Sequence, residues 1–243
     1  MENKLCRDYY LRTSDFDRFG HLLPCALLDL FQDAAGVHAT RLGCGYKDLA
    51  RRNLLWVLVR SKYRVLENCS LFDRVTVETW PLEPNRVTQG REYLLRGADG
   101  RVLVLGSSEW VLMHSVRRCF MPAKDIYSLD SFLSDRNFPE KDTKLHDFES
   151  DSLPYIITPS YSQIDINGHV NNTKYTNFIL DAAPLAENEQ IESLRIDYKH
   201  EVRAGNRLSV FVKRDEDTLL SKGVCDDGKN AFLCEMKIKS PGN

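Results

Sequence analysis

The stretch Asp165-Ile166-Asn167-Gly168-His169-Val170-Asn171-Asn172-Thr173-Lys174-Tyr175 sets a carboxylate, a carboxamide and an imidazole at alternate positions. Groups of these types can hold a water molecule, take its proton and polarise a carbonyl. Alternation by two predicts that Asp165, Asn167 and His169 share one side of an extended segment. An apolar helical pattern begins directly after them. Asp, Asn and Gly before a helix also serve as turn and capping residues, and Asn171 and Asn172 read as caps.

The chain resembles itself. Asp17-Arg18-Phe19-Gly20-His21-Leu22 matches Asp165-Ile166-Asn167-Gly168-His169-Val170 at an offset of 148 residues, and Asp33-Ala34-Ala35 matches Asp181-Ala182-Ala183 at the same offset. Asp73-Arg74-Val75-Thr76-Val77 matches Asn206-Arg207-Leu208-Ser209-Val210 at 133, a drift that loops of unequal length produce. Only the second copy has Asn at the third motif position; the first has Phe19 there, and Leu23-Pro24 in place of Asn171-Asn172. The expectation is one catalytic copy and one structural partner, with His21 and Asp17 as structural groups. His38 and His200 read as structural too.

The elements that must carry these residues follow from pattern. Residues 24–42 read as a helix, with Pro24 in its first turn and Leu27, Leu28, Phe31, Ala34, Ala35 and Val37 at helical spacing. Gly43-Cys44-Gly45 ends it. Strand-like runs follow at 54–60, 75–80, 92–96, 102–105 and 108–113, with a turn at Asp99-Gly100. In the second copy, 172–183 reads as a helix, 193–198, 207–213 and 231–239 as strands, and Asp226-Asp227-Gly228 as a turn. Residues 124–150, with Asp125, Asp130, Asp135, Glu140, Asp142, Asp147 and Glu149, read as a linker crossing the surface. The domains expected are 1–123, structural and, by the resemblance described below, acyl-binding, and 151–243, catalytic. Helix then antiparallel meander, twice, is an α+β layout.

Composition narrows the function. The 243 residues are 42% hydrophobic and 28% charged, as in ordinary globular domains. A net charge of −2 gives no global attraction to nucleic acid, and no apolar run reaches the ~18 residues of a membrane span. The N-terminal residues lack the apolar core of a signal peptide, so a cytoplasmic location is expected. Seven cysteines without C-x-x-C spacing suit reduced thiols, and neither a metal nor a cofactor is expected.

The D-x-N-x-H-V-N-N string at the mouth of the second helix resembles that of the acyl-acyl carrier protein thioesterases, double hot-dog enzymes of plant plastids and bacteria. Further resemblances run along most of the chain: Trp56-Val57-Leu58-Val59-Arg60, Trp110-Val111-Leu112-Met113 with Arg117-Arg118, and Tyr198-Lys199-His200-Glu201-Val202. The resemblance implies a tandem double hot-dog, each half a long central helix wrapped by an antiparallel sheet. It implies a thioester hydrolase of fatty acid biosynthesis whose partner is acyl carrier protein, and catalytic positions at Asp165, Asn167, His169 and Glu201. Plant members carry a cysteine after the glutamate; Val202 here supplies no thiol for a covalent mechanism and favours direct attack by water. In that scheme Glu201 is the base, Asn167 holds water or the acyl group, Asp165 orients His169, and backbone N–H groups near Val170 and Asn171 stabilise the oxyanion.

Two readings compete with it: an acyl-CoA thioesterase, or a non-catalytic acyl-binding hot-dog module. Hot-dog dehydratases need an acid and a base over the acyl β-carbon, which this set fits less well. Candidate docking cations for an acidic carrier protein are Arg51-Arg52, Arg60-Lys62-Arg64, Arg117-Arg118, and Arg203 with Arg207. Leu27, Phe31 and Trp56 read as walls of an acyl tunnel. Pairing of the two copies within one chain permits a monomer, and a homodimer is equally open.

Overall fold

The computed structural model describes residues 3–124, 126, 132–140, 144–150 and 152–240. The chain forms two units, Met1–Leu22 with Leu27–Lys141, and Leu23–Ala26 with Asp142–Asn243.

In the first unit β1 (Leu5–Tyr10), β2 (Leu54–Val65), β3 (Arg74–Pro81), β4 (Thr88–Gly97) and β5 (Val102–His114) form an antiparallel sheet ordered β1-β3-β4-β5-β2. A short β6 (Cys119–Met121) pairs with β5. Helix α1 (Pro24–Arg41) buries Leu27, Leu28, Phe31, Ala34 and Ala35. It closes through Gly43 at φ +72, with Cys44 N–H bonded to the Ala39 carbonyl at 2.9 Å. A short α2 (Tyr46–Ala50) follows.

The two runs expected at 102–105 and 108–113 are one strand. Gly106 does not break it, because its missing side chain is filled by Phe31: a Cβ there would lie 2.4 Å from the Phe31 ring. Phe31 stacks on Tyr93, ring centroids 4.7 Å apart, so helix and sheet meet at this contact.

The second unit orders its strands β8-β11-β10-β9-β7, all antiparallel. They are β7 (Tyr155–Ile157), β8 (Gln190–Tyr198), β9 (Leu208–Asp215), β10 (Thr218–Cys225) and β11 (Asn230–Lys239). The sequence patterns missed β1, β6, β7 and β10. Its helix α3 (Tyr175–Ala182) is preceded by a 3-10 turn over Asn172–Lys174 and buries Tyr175, Phe178 and Ile179. Phe178, Ile196, Leu208, Phe232 and Met236, each at most 1% exposed, form the core beside it. The turns expected at Asp99-Gly100 and Asp226-Asp227-Gly228 are present, with Gly100 and Gly228 at φ +83 and +78.

Of the acidic residues in the segment expected to link the copies, Asp125, Asp130 and Asp142 lie outside the described residues. Residues 132–140 pack on the first unit. The Trp80 indole donates to the Asp135 carbonyl (2.9 Å), and the Asn137 amide donates to the Tyr93 (2.7 Å) and Gly106 (2.9 Å) carbonyls. Asn137 N–H also donates to Glu92, whose carboxyl burial pushes up from the ordinary range. In the second unit Asp147 accepts from Lys222 (2.7 Å) and Asn230 (2.8 Å). Asn137→Ala leaves two strand carbonyls without their donor, and the expected loss is about 2 kcal/mol, read from urea unfolding.

Candidate active site

The D-x-N-x-H segment is a hairpin loop. Ile164 and Val170 bridge, Asp165 N–H donates to the His169 carbonyl at 2.8 Å, and Gly168 N–H donates to the Asp165 carbonyl at 3.0 Å. Gly168, at φ +80, supplies the left-handed residue that closes such a loop. Asp165 Oδ1 accepts from the N–H groups of Asn167 (2.8 Å) and His169 (3.3 Å), and Oδ2 accepts from the Asn167 amide (3.3 Å). Asp165, Asn167 and His169 therefore do not alternate along a strand, as their spacing suggested. The Asp165 carboxylate turns the chain, and it orients His169 through the backbone rather than through the ring.

A second segment runs antiparallel to this loop. Val170 N–H donates to the Val202 carbonyl at 2.7 Å, and His169 pairs with Arg203. Val170 and Val202 are 3% and 1% exposed and face the core. Alternation then aims His169 and Glu201 the other way. His169 Nε2 lies 3.2 Å from Glu201 Oε2, with the two side chains 19% and 28% exposed. The structure thus brings together His169 and Glu201, while Asn167 is bonded to Asp165 in the same loop.

The same geometry bears on covalent chemistry. Position 202 points into the core, on the face opposite His169, so a cysteine there would not meet the imidazole. Val202→Cys is expected to keep turnover within about threefold of wild type, with no added sensitivity to thiol alkylation. A buried, apolar-surrounded thiol is inert.

The expected oxyanion donors are otherwise engaged. Val170 N–H goes to Val202, and Asn171 N–H goes to the Gln163 carbonyl at 2.9 Å. Asn171 is a cap: its side-chain oxygen accepts from Thr173 N–H at 3.2 Å. Behind the loop the Tyr175 ring packs on Phe178, Tyr198 and Phe232 at centroid distances of 6.0, 6.0 and 5.2 Å. Burial drives the Tyr175 phenol well above its ordinary value, so it stays protonated.

The first copy repeats the frame without the chemistry. Phe16 and Leu22 bridge, Asp17 N–H donates to the His21 carbonyl (2.9 Å), and Asp17 Oδ1 accepts from Phe19 N–H (2.8 Å) and His21 N–H (2.9 Å). The later match holds as well: Ser70 N–H donates to Asp73 (2.8 Å) as Arg203 N–H donates to Asn206 (3.1 Å). The offset of that match aligns Asn68 with Glu201 and Cys69 with Val202 in the sequence. An amide cannot act as a base, and burial pushes the Cys69 thiol up to about 12.

Some candidate groups have other partners. Arg60 pairs with Glu109 (2.8 Å), Arg51 with Asp48 (3.9 Å) and Arg207 with Asp226 (3.4 Å), while Lys62 and Arg64 lie over Phe138 at 4.4 and 5.8 Å. Trp56 packs against the cluster of Ala39, Leu42, Cys44, Leu49, Leu54 and Leu112 and donates to the Cys44 carbonyl at 3.1 Å. The sequence patterns missed a buried polar layer in the first unit. Arg91 Nη1 lies 3.1 Å from His38 Nδ1 and 3.1 Å from Thr79 Oγ1, and the Tyr93 and Ser108 hydroxyls are 2.8 Å apart. Its sequence signal is weak, since Arg91 sits in a strand that also carries Gln89, Glu92 and Arg96. Among the described residues no three His, Cys, Asp or Glu side chains converge to hold a metal.

Comparison with known proteins gives the family. The chain is 30% identical over 173 residues to the palmitoyl-acyl carrier protein thioesterase of Arabidopsis thaliana, covering 66% of this chain and 42% of that protein. It is 29% identical over 233 residues to the dodecanoyl-[acyl-carrier-protein] hydrolase of Cinnamomum camphora, covering 89% and 59%. The chain spans about half the length of the first curated relatives it matches. In fold it is similar to an acyl-ACP thioesterase from Bacteroides thetaiotaomicron (TM-score 0.89, 23% identity, 98% of each chain covered). The 12:0-ACP thioesterase from Umbellularia californica is similar too (TM-score 0.86, 22% identity, 99% and 98% covered). These likenesses give the double hot-dog fold. The family profiles for the acyl-ACP thioesterase N-terminal and C-terminal domains match residues 2–128 and 148–240, and the chain belongs to the acyl-ACP thioesterase family.

Proposed function

We propose that this protein hydrolyses the thioester of acyl-acyl carrier protein and releases a free fatty acid by direct attack of water. The observation that carries this reading is the His169–Glu201 pair, 3.2 Å apart on the outward face of an Asp165-braced loop, in one copy only of a chain of this family. The pair takes a proton as water attacks, so that a C–O bond forms, the C–S bond breaks, and the leaving thiolate recovers the proton. Glu201 is the base and His169, with Nε2 3.2 Å from its carboxylate, the relay. Asn167 gives one amide N–H to Asp165, and its remaining polar atoms hold the water or the acyl oxygen. Asp165 is a positioning residue. Since Val170 and Asn171 N–H are engaged and His169 serves as the relay, oxyanion stabilisation falls to the second N–H of the Asn167 amide.

Among the described residues no helix is long and apolar enough to cross a membrane. Seven cysteines without C-x-x-C spacing support placing the protein in a reducing cytoplasm. The deciding experiment is thiol release from a panel of acyl-acyl carrier proteins of increasing chain length, with the same acyl-CoAs alongside. Release from the carrier-protein esters supports the reading. Release from CoA esters alone removes the carrier-protein partner, and no release from either by folded protein leaves an acyl-binding module.

A further inference from the structure

The antiparallel segment beside the catalytic loop carries one more charged group. Residues directly opposite in an antiparallel pair project from the same face, so the His169–Arg203 bridge sets Arg203 on the face of His169 and Glu201. Its backbone is pinned: Arg203 N–H donates to Asn206 at 3.1 Å, Asn206 N–H returns to the Arg203 carbonyl at 3.1 Å, and Gly205 turns at φ +81. The residue is exposed. Among the described residues no carboxylate lies within ion-pair distance of its guanidinium, whereas nearby Arg207 is held by Asp226. In the first copy the same register position is Ser70, which is neutral. The cation therefore accompanies the His–Glu pair and is missing where the pair is missing.

A guanidinium presents a planar fork of donors that matches phosphate oxygens. A thioester on a carrier protein or on CoA arrives on a phosphopantetheine arm, whose phosphate is the fixed anion nearest the reacting carbon. The chain carries a net charge of −2, so an anionic substrate is drawn by local charge or not at all.

We propose that Arg203 binds the phosphate of the phosphopantetheine arm and so selects phosphate-bearing thioesters. This rests on the thioesterase reading above. It makes Arg203 a specificity-determining residue, outside the acid–base pair.

The test presents one acyl group on carrier protein, on CoA and on pantetheine, which lacks the phosphate, to wild type, Arg203→Gln and Arg203→Lys. For Arg203→Gln, KM is expected to rise about 10-fold on both phosphate-bearing substrates with kcat unchanged. Hydrolysis of acyl-pantetheine should be unaltered, Arg203→Lys should restore part of the affinity, and the thermal midpoint should not move. Unchanged KM on the phosphate-bearing esters overturns the proposal. Equal loss on acyl-pantetheine overturns it by showing a structural effect, and loss on the carrier-protein ester alone overturns it by moving the contact to the carrier's own acidic surface. Failure of the underlying reading is distinguishable, because wild type would then release no thiol from any of the three, and the assignment of Arg203 falls with its substrate.

Discussion

Glu201→Gln is expected to lower kcat on acyl thioesters by about 10²–10⁴-fold while leaving KM near its wild-type value. Glutamine keeps the shape and one acceptor for His169 Nε2 but has no basicity. The thermal midpoint should hardly change, since the pair is 19% and 28% exposed and ion pairs in contact with water contribute about 0–1 kcal/mol. His169→Ala should cost a similar factor, and the double variant little more than either alone, because the two side chains act as one unit. Strictly additive losses would sink the idea of a shared proton. His21→Ala is the internal control: its copy has Asn68 in place of the glutamate, so turnover should be untouched. Asp165→Ala should differ in kind. It removes the acceptor of two backbone N–H groups, and both turnover and the unfolding midpoint should fall.

Gly106→Val carries the largest expected loss of stability, about 3 kcal/mol. The Phe31 ring occupies the volume where the new side chain must go, and that ring is stacked on Tyr93, itself 2% exposed. Neither ring has space to retreat. Pairing it with Phe31→Leu should recover about half the loss, since leucine vacates the ring's edge while still filling part of the layer. Urea midpoints of the two single variants and the double variant give the coupling. If the double is as unstable as the sum of the singles, the clash is not with Phe31. Turnover after refolding should follow stability, because no reacting group is involved.

The residues proposed for the site stand out in the sequence, and their arrangement does not. Asp165, Asn167 and His169 announce themselves by type, and the repeat singles out the copy worth reading. Alternation was the wrong ruler, because Asn167-Gly168 is turn chemistry: an aspartate that bonds the N–H groups two and four residues on, then a glycine at φ +80, makes a hairpin loop. Glu201 lies 32 residues beyond His169 and carries no local signal; only the resemblance pointed to it. The oxyanion donors were misjudged for a tertiary reason, since the partners of Val170 and Asn171 N–H are carbonyls at Val202 and Gln163. In the fold, α1 was legible from its apolar face and Pro24. The edge strands were not, as three-residue strands such as β6 and β7 are too short to show a period. The gap left between the runs 102–105 and 108–113 is absent, because a ring from α1 covers Gly106 and no local pattern announces that.

The loop around Asp17 keeps the shape of the loop around Asp165 though it lacks the asparagine and glutamate proposed for the reaction, which separates two kinds of inheritance in this chain. Foldability demands the aspartate and the glycine in both halves, so selection against misfolding guards them everywhere. Under the proposed mechanism reactivity depends on positions 167 and 201, whose counterparts 19 and 68 are a phenylalanine and an asparagine; the Asp17 loop closes without a side-chain amide at its third position. After duplication, one half could drift at its reactive positions without risk to its own architecture. The first loop is in effect an empty socket, cut to the dimensions of a reaction centre and available for a second chemistry by changing side chains alone.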